Sequence, residues 1–186
     1  MEENHTNRAQ WIEAGYRHFS LFGPDHLKLK DIAHGAGVSR TSFYQFFADH
    51  DDFFEALLDH HRQVARIGHE RFRACLTYTQ VFEVMVDMPE GVLFHRQLLL
   101  HKANPTYFQL YNQLNALGNE IIYPLWAKYY EFDGNELAGK KLHLMLIDLF
   151  YLNISEANLN MDALLANTNE IRRQLRVFAA TGKLVG

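Results

Sequence analysis

Apolar residues recur every three or four positions along nearly the whole chain, the period of helices that bury one face. Ile12, Gly15, Phe19 and Phe22 set the first such stripe and predict a helix over about 7–22, stopped by Gly23-Pro24. From Lys28 to Phe47 the pattern shortens to two small helices around a tight turn. Ile32, Ala33 and Ala36 form the apolar face of the first. Gly37 stands at the reversal, Val38 fills the angle, and Ser39 is placed to cap the second helix. Phe43, Phe46 and Phe47 then point back into the domain. Asp49 is expected to cap a fourth helix reaching about Cys75, with Asp51 and Asp52 against its positive end. Met88-Pro89-Glu90-Gly91 interrupts the next helical stretch. Asn104-Pro105 opens another that reaches about Tyr130, with a kink expected at Pro124. After a turn at Asp133-Gly134, helices are predicted over about 136–157 and 162–180. The pattern therefore predicts an all-α chain: a helix-turn-helix domain over 1–54, a linking helix over 55–75, and a helical domain over 76–186.

The paired short helices are the geometry that lays a helix into a DNA major groove. Arg40, Thr41, Ser42, Tyr44 and Gln45 are left facing outward, and their chemistry suits that use. Arg40 can bond guanine or a phosphate, and Gln45 can read adenine in a bidentate way. Thr41 and Ser42 fit a base edge or a phosphate, and the Tyr44 hydroxyl suits a phosphate. A polar face on a helical hairpin is by itself ordinary. The joint spacing of I-A, A-G-V-S and F-Y-x-x-F is far more specific.

Residues 8 to 54 resemble the N-terminal domain of the TetR family of bacterial transcriptional regulators. The resemblance rests on W-I-x-x-G-Y-x-x-F-x-x-F-G (Trp11 to Gly23), D-I-A-H-G-A-G-V-S (Asp31 to Ser39) and F-Y-Q-F-F-A-D-H-D-D-F-F (Phe43 to Phe54), about a quarter of the chain. It implies an all-helical homodimer that binds double-stranded DNA, a near-palindromic operator, through its N-terminal domains and a small molecule through its C-terminal domain. Two positions depart from the family pattern. His50 stands where a lysine is usual, and Leu27-Lys28 where helix two usually starts with Ser or Thr. The resemblance makes both phosphate-contact positions, so Lys28 and His50 join the expected DNA-binding set.

Charge complicates this picture. Residues 1–54 hold five Lys/Arg against eight Asp/Glu, a net of −3 with histidine neutral, which is unusual for a DNA-binding domain. Each missing phosphate contact lowers the salt slope by about 0.9. Gly35 inside helix two costs roughly 1 kcal/mol against alanine.

The second half carries aromatic, methionine and histidine residues but no motif. His95, Tyr111, Trp126, Met145 and Asp148 are the expected ligand contacts, since such pockets combine apolar walls with few polar groups. Asp148 is the sharpest of these, a carboxylate inside L-M-L-I-D-L-F-Y-L. Two features suggest dimerisation. Leu142 to Ile154 is apolar on nearly every side, so its helix must bury two faces. Leu164, Ile171, Leu175 and Phe178 form a stripe on the last helix.

The 186 residues are 48% apolar, enough for a sizeable core, and the single cysteine, Cys75, suits a reducing cytoplasm. No run is long and apolar enough to span a bilayer. Although 11 histidines are present, neither H-E-x-x-H nor a cysteine pair appears, so no metal or other cofactor is expected. No nucleophile elbow or phosphate loop points to an enzyme. The reading is a ligand-responsive transcriptional regulator, a repressor released from its operator by a small molecule. The alternatives are an activator of the same fold, or a small-molecule-binding or interaction protein whose reading head has degenerated.

Overall fold

The computed structural model describes residues 2–181, with the side chains of residues 8–174, 176 and 177. Among the described residues the chain is all-α. The helices are α1 (Glu2–Phe22), α2 (Leu29–Ala36), α3 (Phe43–Phe46), α4 (His50–Arg73), α5 (Tyr78–Asp87), α6 (Pro89–Leu100), α7 (Pro105–Tyr130), α8 (Glu136–Asn153) and α9 (Met161–Thr181). Two 3-10 turns, Pro24–His26 and Arg40–Ser42, precede α2 and α3.

Caps fix most of the boundaries. Asp49 accepts from the Asp52 amide at 2.9 Å, while Asp52 accepts from the Ala48 amide at 2.9 Å. Thr77 and Gln80 form a reciprocal capping box on α5. Asn104 accepts from the Thr106 and Tyr107 amides, and Pro105 follows at the first helical position, where its missing N–H costs nothing. α7 continues through Pro124 to Tyr130.

One core cluster runs from the small N-terminal helices into the larger bundle. Trp11, Phe19, Ile32, Phe43, Phe47, Phe53 and Leu57 belong to it, and so do Phe94, Leu98 and Tyr111. α1 lies along α6: Phe94 stacks on Phe19 at 4.2 Å and on Tyr16 at 4.5 Å between ring centroids. At the same crossing Ser20 Oγ donates to the Glu90 carbonyl at 2.9 Å, and Gln97 Nε2 donates to the Ser20 carbonyl at 3.3 Å.

Of the stripe expected to face a partner subunit, Leu164 and Ile171 face inward. Leu164 is buried with Phe82, Val92, Leu93, Ile154 and Leu159. Ile171 lies against the cluster around Tyr123, Trp126 and Tyr130. These two residues cover α5 and α7 of their own chain. Leu175 and Phe178 lie outside the residues whose side chains are described. α8 does present two apolar faces. Leu142 and Leu146 turn inward to the Trp126 cluster, while Leu137, Met145, Leu149 and Leu152 are 49–64% exposed on the outside.

Candidate nucleic-acid interface and ligand cavity

The turn between α2 and α3 forms for local reasons. Gly37 adopts φ 67°, ψ 25°, and the Gly37 and Val38 amides close the end of α2 onto the His34 and Ala33 carbonyls. A Cβ on Gly37 would meet no atom within 4 Å, so glycine is required there by the left-handed backbone and not by crowding. Ser39 caps the following turn, its Oγ accepting from the Thr41 amide at 3.3 Å. Phe43, fully buried, anchors α3 through edge contacts with Trp11 and Phe53.

The expected DNA-contacting residues fall into two groups. Arg40, Thr41, Tyr44 and Gln45 are exposed on the 3-10 turn and α3, with Tyr44 65% exposed. Lys28 and His50 are exposed at the starts of α2 and α4, and the His50 ring rests against Phe43 at 5.8 Å. Ser42 is different. It is half-buried, its hydroxyl accepting from Trp11 Nε1 at 3.1 Å and donating to the Ser39 carbonyl at 2.7 Å. Both of its bonding functions are used inside the domain. Arg8 adds a cation over the Phe47 ring at 5.2 Å.

A cavity of about 600 Å³ opens between α4, α5, α6, α7, α8 and α9. Of the expected ligand contacts, His95 and Trp126 line it. Tyr111, Met145 and Asp148 do not. Tyr111 is buried beneath the His95 ring, stacked at 4.7 Å, and Met145 is exposed on the outer side of α8. Asp148 is not buried in the apolar run: it stands exposed on α8, where it accepts from the Tyr111 hydroxyl at 2.6 Å. Helical rotation explains the difference, because opposite sides of α8 face the cavity and the outside.

Most of the polar residues that line the cavity lie outside the expected set. On α7, Asn115, Gly118, Asn119, Ile122 and Trp126 all face it, at the three- and four-residue spacing of a single helix face. The spacing was readable, but asparagines inside an otherwise aromatic helix carry no motif. His61 and His69 of α4 and His143 of α8 add to the polar lining, and Asn153, Asn158, Asn167 and Thr168 line the side toward α9. His143 Nδ1 bonds Asn119 Oδ1 at 2.5 Å.

Three of these polar groups join a chain that reaches the N-terminal helix. His95 Nε2 lies 3.0 Å from Asn115 Oδ1, His61 Nε2 lies 3.1 Å from His95 Nδ1, and the Tyr16 hydroxyl lies 2.8 Å from His61 Nδ1. The Asn115 oxygen can only accept, so His95 Nε2 carries a proton and its Nδ1 accepts. His61 Nε2 must then donate, and His61 Nδ1 accepts from Tyr16. Burial keeps these rings neutral: His95 is pushed down to about 4 and His61 well below its ordinary value, while burial raises the Tyr16 hydroxyl. At the other end Asn115 also hydrogen-bonds the Tyr111 hydroxyl, which donates to Asp148. Every donor along the sequence Tyr16, His61, His95, Asn115, Tyr111 points toward that carboxylate.

Among the described residues no helix is long and apolar enough to cross a membrane, and no three His, Cys, Asp or Glu side chains gather as a metal site requires.

Comparison with known proteins follows this geometry. No curated protein matches the chain. A transcriptional regulator of the tetR family from Streptomyces coelicolor has a solved structure that is similar over 98% of this chain and 84% of its own, at 20% identity and a TM-score of 0.58. A candidate transcriptional regulator from Streptomyces coelicolor A3(2) is similar over 78% of this chain and 85% of its own, at 18% identity and a TM-score of 0.46. The first of these shows a shared fold. The family model of bacterial regulatory proteins, tetR family, matches residues 12–57, which hold most of α1, the whole helix-turn-helix and the start of α4. That match identifies residues 12–57 as an N-terminal helix-turn-helix domain of the tetR-family type.

Proposed function

We propose that the chain acts as a homodimeric repressor that leaves a near-palindromic operator when a small molecule fills the cavity. The observation that carries this reading is the chain of hydrogen bonds from the cavity to Tyr16. Asn115, His95 and His61 line the cavity, and Tyr16 belongs to the first helix of the DNA-binding domain. A molecule that competes for any of these bonds also bears on the seating of α1. Since α1 shares its core with α2 and α3, movement there re-aims the reading head.

Two heads are needed because a single helix-turn-helix covers few base pairs, and half-sites recur about 34–36 Å apart. The outer face of α8 supplies the means. Leu137, Met145, Leu149 and Leu152 form an exposed apolar face that an identical face on a second copy would cover, giving the isologous pairing commonest among homodimers. An effector needs only modest selectivity between the two spacings, since each 1.4 kcal/mol of differential binding is about tenfold in population.

Selection of bound sequences from a random DNA pool, followed by footprinting, tests the DNA side. The expected result is a symmetric protected site with half-sites one helical turn apart. Transcription from a promoter overlapping that site should fall when the protein is added. Recovery of no preferred sequence, or a rise in transcription, would reject the repressor reading.

A further inference from the structure

We propose that the effector is an uncharged, largely apolar molecule carrying a hydroxyl or carbonyl group that bonds the Asn119–His143 pair. This rests on the reading of the cavity as an effector site and adds the chemistry of the ligand.

The wall composition decides the charge. Among the described residues no Asp, Glu, Lys or Arg side chain lines the cavity. The charged groups nearest in sequence are paired elsewhere. Lys140 is held by Glu120 and Glu136, Arg172 by Glu131, and Asp148 takes the Tyr111 hydroxyl. An ion entering this space would lose its hydration and meet no counter-charge, and such burial is strongly unfavourable. Histidine could rescue an anion only by taking up a proton. Burial opposes this, holding His95 and His143 at about 4 and lowering His61 and His69. A cation could instead be held by open aromatic faces. The aromatic walls are packed on one another: Trp126, 1% exposed, among Tyr123, Tyr130, Phe132 and His143 at 5.2–5.8 Å between centroids, Tyr78 among Phe82, Tyr129 and Tyr130 at 4.9–6.0 Å, and Tyr151 among His95, Tyr111 and Phe150 at 4.8–5.9 Å.

Of the polar groups on the wall, Asn119 and His143 are paired with each other, and each keeps a further bonding function. His95 has both ring nitrogens engaged, so its contribution is a wall. His143 Nδ1 is bonded to the Asn119 oxygen, which makes Nδ1 the donor and leaves Nε2 a lone-pair acceptor. The Asn119 amide nitrogen is a donor beside it. Together they present one acceptor and one donor, the complement of a hydroxyl, and the donor alone suits a ketone, ester or amide carbonyl. Around them Ile122, Leu146, Val81 and Phe82 supply apolar wall. A volume near 600 Å³ is in the range that encloses a drug-sized molecule.

Three fluorescent probes on one ring skeleton test the proposal with the full-length protein: neutral N-phenyl-1-naphthylamine, its sulfonate 8-anilinonaphthalene-1-sulfonate, and a trimethylammonium derivative. The neutral probe should saturate with blue-shifted emission, and both charged relatives should bind at least tenfold more weakly. Equal affinity across the three, or no binding of the neutral probe, would overturn the proposal. Leu146→Trp fills the cavity and should abolish neutral-probe binding while the helical circular dichroism is retained; a folded variant that still binds places the probe elsewhere and overturns it too. If that variant does not fold, Asn119→Asp keeps the volume and adds a carboxylate. It should weaken the neutral probe and strengthen the cationic one, and an unchanged order of affinities counts against the proposal. Gel shifts with the selected DNA separate this from the underlying reading. A neutral probe that binds selectively yet leaves DNA affinity unchanged refutes the effector role of the cavity, whereas charge-indifferent binding refutes only the ligand chemistry.

Discussion

At the scale of single residues, the reading turn divides its polar side chains by what they can still bond. Tyr44 and Gln45 project freely from α3, and their contributions to DNA binding should differ in kind. Tyr44→Phe removes a hydroxyl suited to a phosphate and should weaken binding about equally on all sequences. Gln45→Ala should change preference at one base pair by about 1–3 kcal/mol. Gel shifts on a panel of single-base operator variants distinguish the two; full wild-type affinity and preference in both mutants would take α3 out of the groove. His50 is exposed at the first residue of α4, where the helix start is already rich in acid from Asp49, Asp51 and Asp52. His50→Lys places a permanent cation there. It should raise affinity and steepen the dependence of log affinity on log salt by about 0.9. An unchanged slope would show that this position lies off the phosphate backbone. Ser42 shows why residue type alone misplaces a side chain. Its outward position in the pattern was legible, but the indole N–H that claims its hydroxyl comes from Trp11, 31 residues earlier.

At the scale of elements, the caps and stops were written locally, so the sequence showed them. Ser39, Asp49, Asn104 and Gly37 each act through a backbone group within a few residues. Contacts between elements were not local, and the crossing of α1 over α6 is the clearest case. Tyr16 and His61 are 45 positions apart, and His61 and His95 a further 34. If this chain couples cavity to head, Tyr16→Phe should uncouple them with little loss of fold, because the ring still stacks on Phe94. The neutral naphthylamine should bind the mutant within about twofold of wild type, since Tyr16 is not part of the cavity wall. Its effect on DNA affinity should shrink several-fold. Amide hydrogen exchange gives a second readout: probe binding should alter protection in α1 of the wild type and not of the mutant. Equal coupling in both proteins would assign the signal to another path.

At the scale of the whole molecule, buried neutral histidines and an exposed apolar helix face set the solution behaviour. His95 and His143 have folded-state values near 4, below the unfolded value near 6.5. Below 6.5 the unfolded chain binds more protons than the folded one, so stability falls as pH drops. The contribution is fully present above about pH 6.5 and is lost progressively toward pH 4, on the order of 3 kcal/mol for each histidine. Melting temperature should therefore be nearly flat from pH 8 to 7 and decline from about 6.5. A flat profile down to pH 5 would contradict neutral burial. In the proposed dimer the outer face of α8 carries the pairing. Met145→Glu or Leu152→Glu should yield monomers by sedimentation, and operator affinity should fall although the reading head is untouched. A dimer that survives both charges would move the interface off this face.

What the sequence by itself determined was everything governed by short range: helical content, the caps and breaks, the helix-turn-helix, and the faces of α3 that point outward. Those features depend on backbone geometry and side-chain spacing within one or two turns, and residues close in sequence are enough to specify them. The two-sided character of α8 was legible for the same reason, since a helix apolar all round has to bury two faces. Tertiary structure decided which of several equivalent stripes met which neighbour. Leu164 and Ile171 look like an interface along the chain, yet they are spent covering α5 and α7. Asp148 looks buried by its apolar neighbours, yet the rotation of α8 places it outside. Asn115, Asn119, His61 and His143 carry no motif, and they become a site only because α4, α6, α7 and α8 bring them around one space. A helical period states that a face is apolar or polar; only the packing of the other helices states what that face touches.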